Sequence, residues 1–306
     1  MKTFLAIEIG GSKLQIFSGD AAANILERHR FTVDVAAGGA GIRRQIATAL
    51  RDIIPTVKPA AIGVGFGGPV DWHKGEICCS HQVEGWHDFA LGGWLHEITA
   101  LPVVVENDSN TATFGEAWRG AGYGHNPVFY FNLGSGVGGG LVLDGKIFHG
   151  AKPGEAEFGH LRLARDGTTV EDRCSGWAVD KKIRALKTTA PDSALAKLLE
   201  ATPGGEARHL AAALAQHDPA AQTILFELAE DLGFALSHVV QLFHPEIIVL
   251  GGGLSLVGEP LRAAVEQALH VFVMEAFAPG PRVVLSALGE DAVPVGALLL
   301  AHGLAA

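Results

Sequence analysis

Short apolar runs, some alternating with polar residues and some unbroken, are punctuated by glycine along most of the chain and predict a regular order of elements. Strands are expected near 4–9, 13–18 and 25–33. A helix follows over 41–54, where Ile42, Ile46, Ala49, Leu50 and Ile53 recur at helical spacing. A strand at 60–65 runs into the turn cluster Gly67-Gly68-Pro69-Val70-Asp71, in which proline restricts φ and the glycines relax it. The stretch beyond, with Trp86 and His87, reads as a loop. Pro102-Val103-Val104-Val105 is wholly apolar, as suits a strand covered on both faces, and a helix is expected over 109–119. Strands at 128–131 and 141–143 follow, and 175–243 reads as mostly helical, broken at Pro191, Pro203-Gly204-Gly205 and Pro219. A strand at 246–250, a helix over 259–273, a strand at 282–285 and a helix over 292–301 complete the order. Alternating strands and helices argue an α/β protein with mixed sheets.

Two of the predicted turns have a similar design. Glu8-Ile9-Gly10-Gly11-Ser12-Lys13 follows one apolar strand, and Asn132-Leu133-Gly134-Ser135-Gly136-Val137-Gly138-Gly139-Gly140 follows another; each leads into a further strand. Glycine lacks a Cβ, so such a turn brings main-chain N–H groups close to an anion, with Ser12, Lys13 and Ser135 adding donors or charge. Either turn taken singly reads more readily as an ordinary hairpin, since short glycine patterns recur in many turns. Neither is a Walker A loop or a Rossmann fingerprint, because both of those open a helix. A third glycine run, Gly251-Gly252-Gly253, lies between a strand and a helix, where a ribose or adenine could lie across flat backbone.

Composition narrows the function classes. The chain has 306 residues, 48% hydrophobic and 18% charged, enough for a sizeable core and more naturally two lobes than one. A formal charge of −10 and scattered Lys and Arg argue against a nucleic-acid surface. No apolar stretch is long enough to span a bilayer, and residue 4 already opens a strand with no signal-like segment before it, so a cytoplasmic protein is expected. Three cysteines make no disulfide framework and have no metal-ligand spacing.

The chemistry is expected at Glu106-Asn107-Asp108-Ser109-Asn110, at the carboxyl end of the all-apolar strand, where α/β proteins hold ligands. Asp108 reads equally as a helix N-cap. A second polar cluster, Glu157 and His160 with Glu171 beyond, has the donors and acceptors to bind several hydroxyls of one small polyol.

As a set, these residues resemble the ROK (repressor, open reading frame, kinase) family of sugar kinases. The family lies within the actin, Hsp70 and hexokinase-like superfamily. The resemblance runs through Ile7 to Lys13, Gly67 to Asp71, Val105 to Asn110 with Gly115-Glu116, Leu133 to Gly140 and Glu157 to His160, then Val249 to Gly253 and Ala292 to Ala297. It implies a two-lobed actin/hexokinase-like (ribonuclease H-like) α/β fold with duplicated mixed-sheet domains: a lobe over 1–116 joined by a C-terminal helix at 288–306, and a larger lobe over 117–287. It implies phosphorylation of a hexose or N-acetylated amino sugar by ATP with Mg²⁺. Asp108 would be the general base, and Asn107, Glu157, His160 and Glu171 would hold the sugar. Gly10, Gly11, Ser12, Lys13, Gly134, Ser135 and Gly136 would surround the phosphates, and Gly251, Gly252 and Gly253 the nucleoside. Members are often dimers or tetramers, so a homodimer or homotetramer is expected, with no nucleic-acid or membrane partner.

Three departures from the family bear on these expectations. Glu8 stands where Asp is usual, so a carboxylate expected to help place Mg²⁺ is one methylene longer. Many members bind a structural zinc through the counterpart of His160 and three cysteines, whereas here Arg165-Asp166-Gly167-Thr168-Thr169-Val170-Glu171 contains none and Cys174 lies beyond it, so no zinc site is expected. Ala156 and Thr169 stand where Gly and Cys are common. The alternative reading is a non-catalytic sugar-binding sensor of the same fold. A DNA-binding repressor would need an N-terminal helix-turn-helix and a basic helix.

Overall fold

The computed structural model describes residues 2–305 except Ser12, His81, Pro153, Glu155 and residues 200–203. The N-terminal elements are β1 (Thr3–Ile9), β2 (Lys13–Asp20), β3 (Ile25–Thr32), α1 (Gly38–Val57), β4 (Ile62–Phe66), β5 (Val70–Asp71) and β6 (Glu76–Ile77). Next come α2 (Leu91–Thr99), β7 (Val103–Asn107), α3 (Asp108–Arg119), β8 (Val128–Leu133), β9 (Val137–Leu143) and β10 (Lys146–Ile147). The C-terminal half has α4 (Val170–Cys174), α5 (Gly176–Thr189), α6 (Ala194–Lys197), α7 (Leu210–Ala215), α8 (Pro219–Phe243), β11 (Ile247–Gly251), α9 (Glu259–Phe272), β12 (Arg282–Leu285) and α10 (Ala292–Leu304). No helix among the described residues is long and apolar enough to cross a membrane.

Two five-stranded mixed sheets form, in the orders β3-β2-β1-β4-β7 and β10-β9-β8-β11-β12. In the first, β1 runs antiparallel to β2, with Ile9 opposite Leu14 across the first glycine turn, and parallel to β4, which is parallel to β7. In the second, β11 runs parallel to both β8 and β12. The interior strands β4 and β11, each with a parallel neighbour on both sides, are buried along their whole length, as two-sided coverage requires.

The chain divides into two compact units, Met1–Tyr123 with Gly140–Ala156 and Glu290–Ala306, and Gly124–Gly139 with Glu157–Gly289. Residues 117–123 and 140–156, expected in the lobe over 117–287, group with the first unit, and residues 288–289, expected with the first lobe, group with the second. In the first unit, α1 covers the sheet with Ile42, Ile46, Leu50 and Ile53, the stripe predicted from spacing. The C-terminal helix belongs to this unit because small residues let it approach closely. A Cβ on Gly63 would fall 2.0 Å from the carbonyl oxygen of Ala297, and one on Gly296 1.9 Å from that of Thr111. In the second unit, α8 buries Leu228, Leu232, Leu236 and Val240 at four-residue intervals.

Two local expectations change. Residues 91–99, expected within the loop that carries Trp86 and His87, form α2; Gly92 and Gly93 weaken its pattern, while Leu91 and Leu95 fill the core one turn apart. Gly138, Gly139 and Gly140, read as turn, lie inside β9. Pro219 opens α8 at its first turn, capped by Asp218, whose side chain accepts from Ala220 N. Pro203 lies outside the described residues.

Candidate functional site

In the first unit, β7 ends at Asn107 and α3 begins at Asp108. Asn107 has extended backbone, and its Oδ1 accepts from the main-chain N–H groups of Ser109 (2.9 Å) and Asn110 (3.1 Å). Asn107 is therefore the N-cap, the role that Asp108 was equally able to fill on sequence grounds. Its Nδ2 donates to the carbonyl oxygen of Gly68 (3.2 Å), which leaves one amide hydrogen for a ligand. Asp108, relieved of capping, is the first helical residue, and its Oδ1 accepts from the Ser109 hydroxyl at 3.3 Å. Gly67 makes room for the other oxygen: a Cβ there would lie 3.3 Å from Asp108 Oδ2 and 3.6 Å from Gly10 Cα. Gly67 N also donates to Ile9 O at 2.8 Å. The structure thus brings the Asp108 carboxylate and the first glycine turn to the same place.

That turn is closed by Gly10 N donating to Lys13 O (2.7 Å). Lys13 Nζ lies 3.0 Å from Glu8 Oε1, and Gln15 Nε2 donates to Glu8 Oε2 at 3.2 Å. Burial pushes the Glu8 carboxyl above its ordinary value, and the Lys13 ammonium only partly offsets this. Gln15 Oε1 is buried without a partner. Gly11 lies against the Gln82 side chain. Ser12 lies outside the described residues.

In the second unit the other turn is held by the main chain. Gly134 N donates to Gly136 O (2.9 Å), and Gly176 N, at the start of α5, donates to Gly134 O (2.7 Å). Glu171 Oε2 accepts from Val137 N at 2.8 Å and lies so near that a Cβ on Gly136 would fall 2.5 Å from it. Gly252, with φ +80°, passes the main chain of Leu133, whose N, C and O would each be 2.6 Å from an added Cβ. Gly134, Ser135, Gly176, Trp177, Gly253 and Leu256 line one cavity of about 500 Å³. The N-terminus of α5 borders that cavity, and this end of a helix favours anionic groups.

The model of the ROK family matches residues 4–303. The chain belongs to the ROK family. Among ROK and related proteins, a glucokinase of Halalkalibacterium halodurans is 30% identical over 96% of this chain and 93% of its own. A glucokinase of Streptomyces coelicolor is 32% identical over 97% of each. The crystal structure of a ROK family glucokinase from Streptomyces griseus in complex with glucose and AMPPNP superposes with a TM-score of 0.86, at 30% identity over 98% of this chain and 99% of that one. The two mixed sheets are the two-lobed actin/hexokinase-like fold.

The remaining residues expected from the ROK resemblance are on the second unit. A 3-10 turn, Phe158–His160, buries Phe158 against Phe129 and Phe131 and leaves Glu157 and His160 exposed on either side. His160 Nε2 is 3.9 Å from Glu157 Oε2, too far for a hydrogen bond. Glu171 is committed to the second glycine turn through one oxygen. The segment before it, which carries cysteines in many ROK members, is closed here by main-chain bonds: Leu163 N to Thr168 O (2.8 Å) and Val170 N to Leu161 O (2.9 Å). Thr169 and Asp172 then form a capping box that starts α4. The sequence places Glu106 within the segment where chemistry is expected but gives it no role of its own, and gives none to His149 or Trp177. Glu106 had a visible signal, a carboxylate ending an all-apolar strand. His149 had none, because its partner is 43 residues away.

Proposed function

We propose that the chain transfers the γ-phosphoryl group of ATP to a hydroxyl of a hexose, with Asp108 as the general base. The observation that carries this reading is the Asp108 carboxylate on the first helical residue of α3, beside Gly67 and the first glycine turn. Phosphoryl transfer asks a protein mainly for positioning and charge neutralisation, plus one carboxylate within reach of the nucleophilic hydroxyl. Asp108 accepts the hydroxyl proton as the sugar oxygen bonds to phosphorus and the bridging oxygen departs with ADP. The remaining amide hydrogen of Asn107, with Glu157, His160 and Glu171, holds the sugar hydroxyls, and a deoxy analogue would leave such groups unpaired. Gly10, Gly11, Ser12, Lys13, Gly134, Ser135 and Gly136 surround the phosphates, and Gly251, Gly252 and Gly253 approach the nucleoside. The similarity to glucokinases over nearly the whole chain, one of them solved with glucose and AMPPNP, supports a hexose and an adenine nucleotide.

Mg²⁺ suits this chain as an ion carried by the nucleotide. No group of three or more His, Cys, Asp or Glu side chains among the described residues could hold a metal unaided. Both Glu8 oxygens already accept from side chains, but the Glu8 carboxylate and the buried, unpartnered Gln15 Oε1 are acceptors suited to a cation's water ligands. Bound there, Mg²⁺ would neutralise developing charge on the phosphates. We further propose a cytoplasmic homodimer or homotetramer with no nucleic-acid partner.

The test is ADP release with Mg-ATP across hexoses and amino sugars, run beside Asp108→Asn. We expect the variant to lose at least about a hundredfold in kcat with sugar affinity little changed. Near-normal turnover in the variant would remove Asp108 from its role, and silence of the wild type on every sugar it binds would identify a sensor instead.

A further inference from the structure

One buried carboxylate in the first unit, Glu106, has no part in the substrate contacts above. Its side chain is 4% exposed at the end of β7, where Val103, Val104 and Val105 precede it. Burying a carboxylate is costly unless each oxygen is satisfied, and an apolar residue would fill such a position with less penalty. Here Oε1 accepts from Asn107 N (2.9 Å) and from Asn110 Nδ2 (3.1 Å), and Oε2 lies 2.5 Å from His149 Nε2. Asn107 already caps α3 with its own side chain, so Glu106 is not needed to start the helix. It grips the two residues on either side of Asp108–Ser109 from behind.

His149 is itself held. Its ring stacks on Trp72 with centroids 4.0 Å apart and planes 14° from parallel, and 14% of its side chain is exposed. Asn110 Nδ2 also donates to Gly154 O at 2.9 Å, so His149 meets the end of β7 and Gly154 meets the first turn of α3. The docking is otherwise imperfect: Asn110 Oδ1 and Trp72 Nε1 are buried without partners among the described residues. The Glu106–His149 contact is therefore the strong element of the join. The same segment runs on past Ala156, where the chain passes into the second unit at Glu157.

We propose that Glu106 and His149 are positioning residues for Asp108. His149 fixes the Glu106 carboxylate, Glu106 fixes the Asn107 N–H and the Asn110 amide, and these set the turn that carries the base. The inference rests on the reading of Asp108 as general base, and the test separates the two. His149→Ala and Glu106→Gln are measured alone and each combined with Asp108→Asn. Because a misplacement of the base by a fraction of an ångström to an ångström is felt strongly, His149→Ala should lower kcat by about 30-fold while the KM for ATP stays within about twofold. On the Asp108→Asn background the same change should remove less than about a further twofold, since it acts through a group already lost. Added imidazole, which fits the space left between Trp72 and Glu106, should restore part of the kcat of His149→Ala, and His149→Gln, which keeps a donor near the position of Nε2, should retain more activity than His149→Ala.

Wild-type kcat in His149→Ala, or an equal loss on both backgrounds, would overturn the positioning role and leave the base intact. Full turnover in Asp108→Asn alone would overturn both. If His149→Ala does not fold, the same cycle run with His149→Gln and Glu106→Gln decides by the same two criteria.

Discussion

The two glycine turns look alike in sequence and are built differently. Each follows an apolar strand, and each has a carboxylate beside it. At the first turn the carboxylate is Glu8, which comes from the strand that enters the turn and takes side-chain donors, Lys13 and Gln15. At the second it is Glu171, which comes from α4, 34 residues on, and takes the main-chain N–H of Val137 itself. The first turn is thus locally specified, with Lys13 and Gln15 both donating to Glu8. The second is shaped by distant chain: Glu171, the start of α5 and the Gly252 backbone all close on it. A similar run of residues makes a glycine turn either from its own neighbours or from what packs against it.

The largest effect that would sharpen this contrast is steric. An alanine at Gly252 would need φ +80° and a Cβ 2.6 Å from Leu133 backbone atoms, so Gly252→Ala should cost about 2–4 kcal/mol in urea unfolding. Gly10 has only ordinary contacts for an added Cβ, at 3.6 Å or more, so Gly10→Ala should keep its stability within about 1 kcal/mol. Equal losses in both would erase the distinction between a turn made locally and one made by packing.

A smaller effect is expected at the two carboxylates. Glu171→Ala strips the Val137 N–H of its acceptor, and Val137 is buried, so a cost of about 1–3 kcal/mol should follow. Glu8→Gln should leave Tm within about 2 °C at pH 7, because burial already disfavours the ionised form that the variant removes. The pH dependence has a defined sign. A carboxyl held above its ordinary value binds its proton more readily in the folded chain, so its contribution favours the fold at low pH and fades as pH rises through the raised value. The difference in Tm between wild type and Glu8→Gln should therefore shift toward the wild type as pH falls from 7 toward 4.5.

The smallest effects concern how Glu171 is delivered to its turn. Main-chain bonds close 161–170, so a chelator should leave Tm and activity in metal-replete assay unchanged, and elemental analysis should find no stoichiometric zinc; one zinc per chain would mean the segment is held otherwise. Cys174, at the end of α4, has its thiol pushed up to about 12, chiefly by burial, and should resist a maleimide at neutral pH until the protein unfolds, while the half-buried Cys78 and Cys79 react first. Early labelling of Cys174 would show that α4, and Glu171 with it, opens readily.

Most strands and the long helices were legible because their signal is local. The stripe of α1 and the wholly apolar β4 and β11 report burial directly through side-chain type and spacing. Helix α2 was not legible, since its two glycines dilute a nine-residue pattern. At the candidate site, the place of Asp108 at a strand-to-helix junction and the places of both glycine turns could be read from motif and element order. The cap at Asn107 could not, because Asn107 and Asp108 are both good caps and the choice depends on where the strand stops.

The amino-acid sequence by itself determined the order of most elements, the mixed α/β class, the family and the positions of the two glycine turns, since each of these is written in neighbouring positions or in motifs of fixed spacing. Tertiary structure alone decided which unit residues 140–156 join, that Glu171 supports a turn 34 residues earlier, and that His149 meets Glu106. Those outcomes depend on contacts between residues tens of positions apart, where no periodicity links the partners and only the packed chain brings their side chains within hydrogen-bond distance.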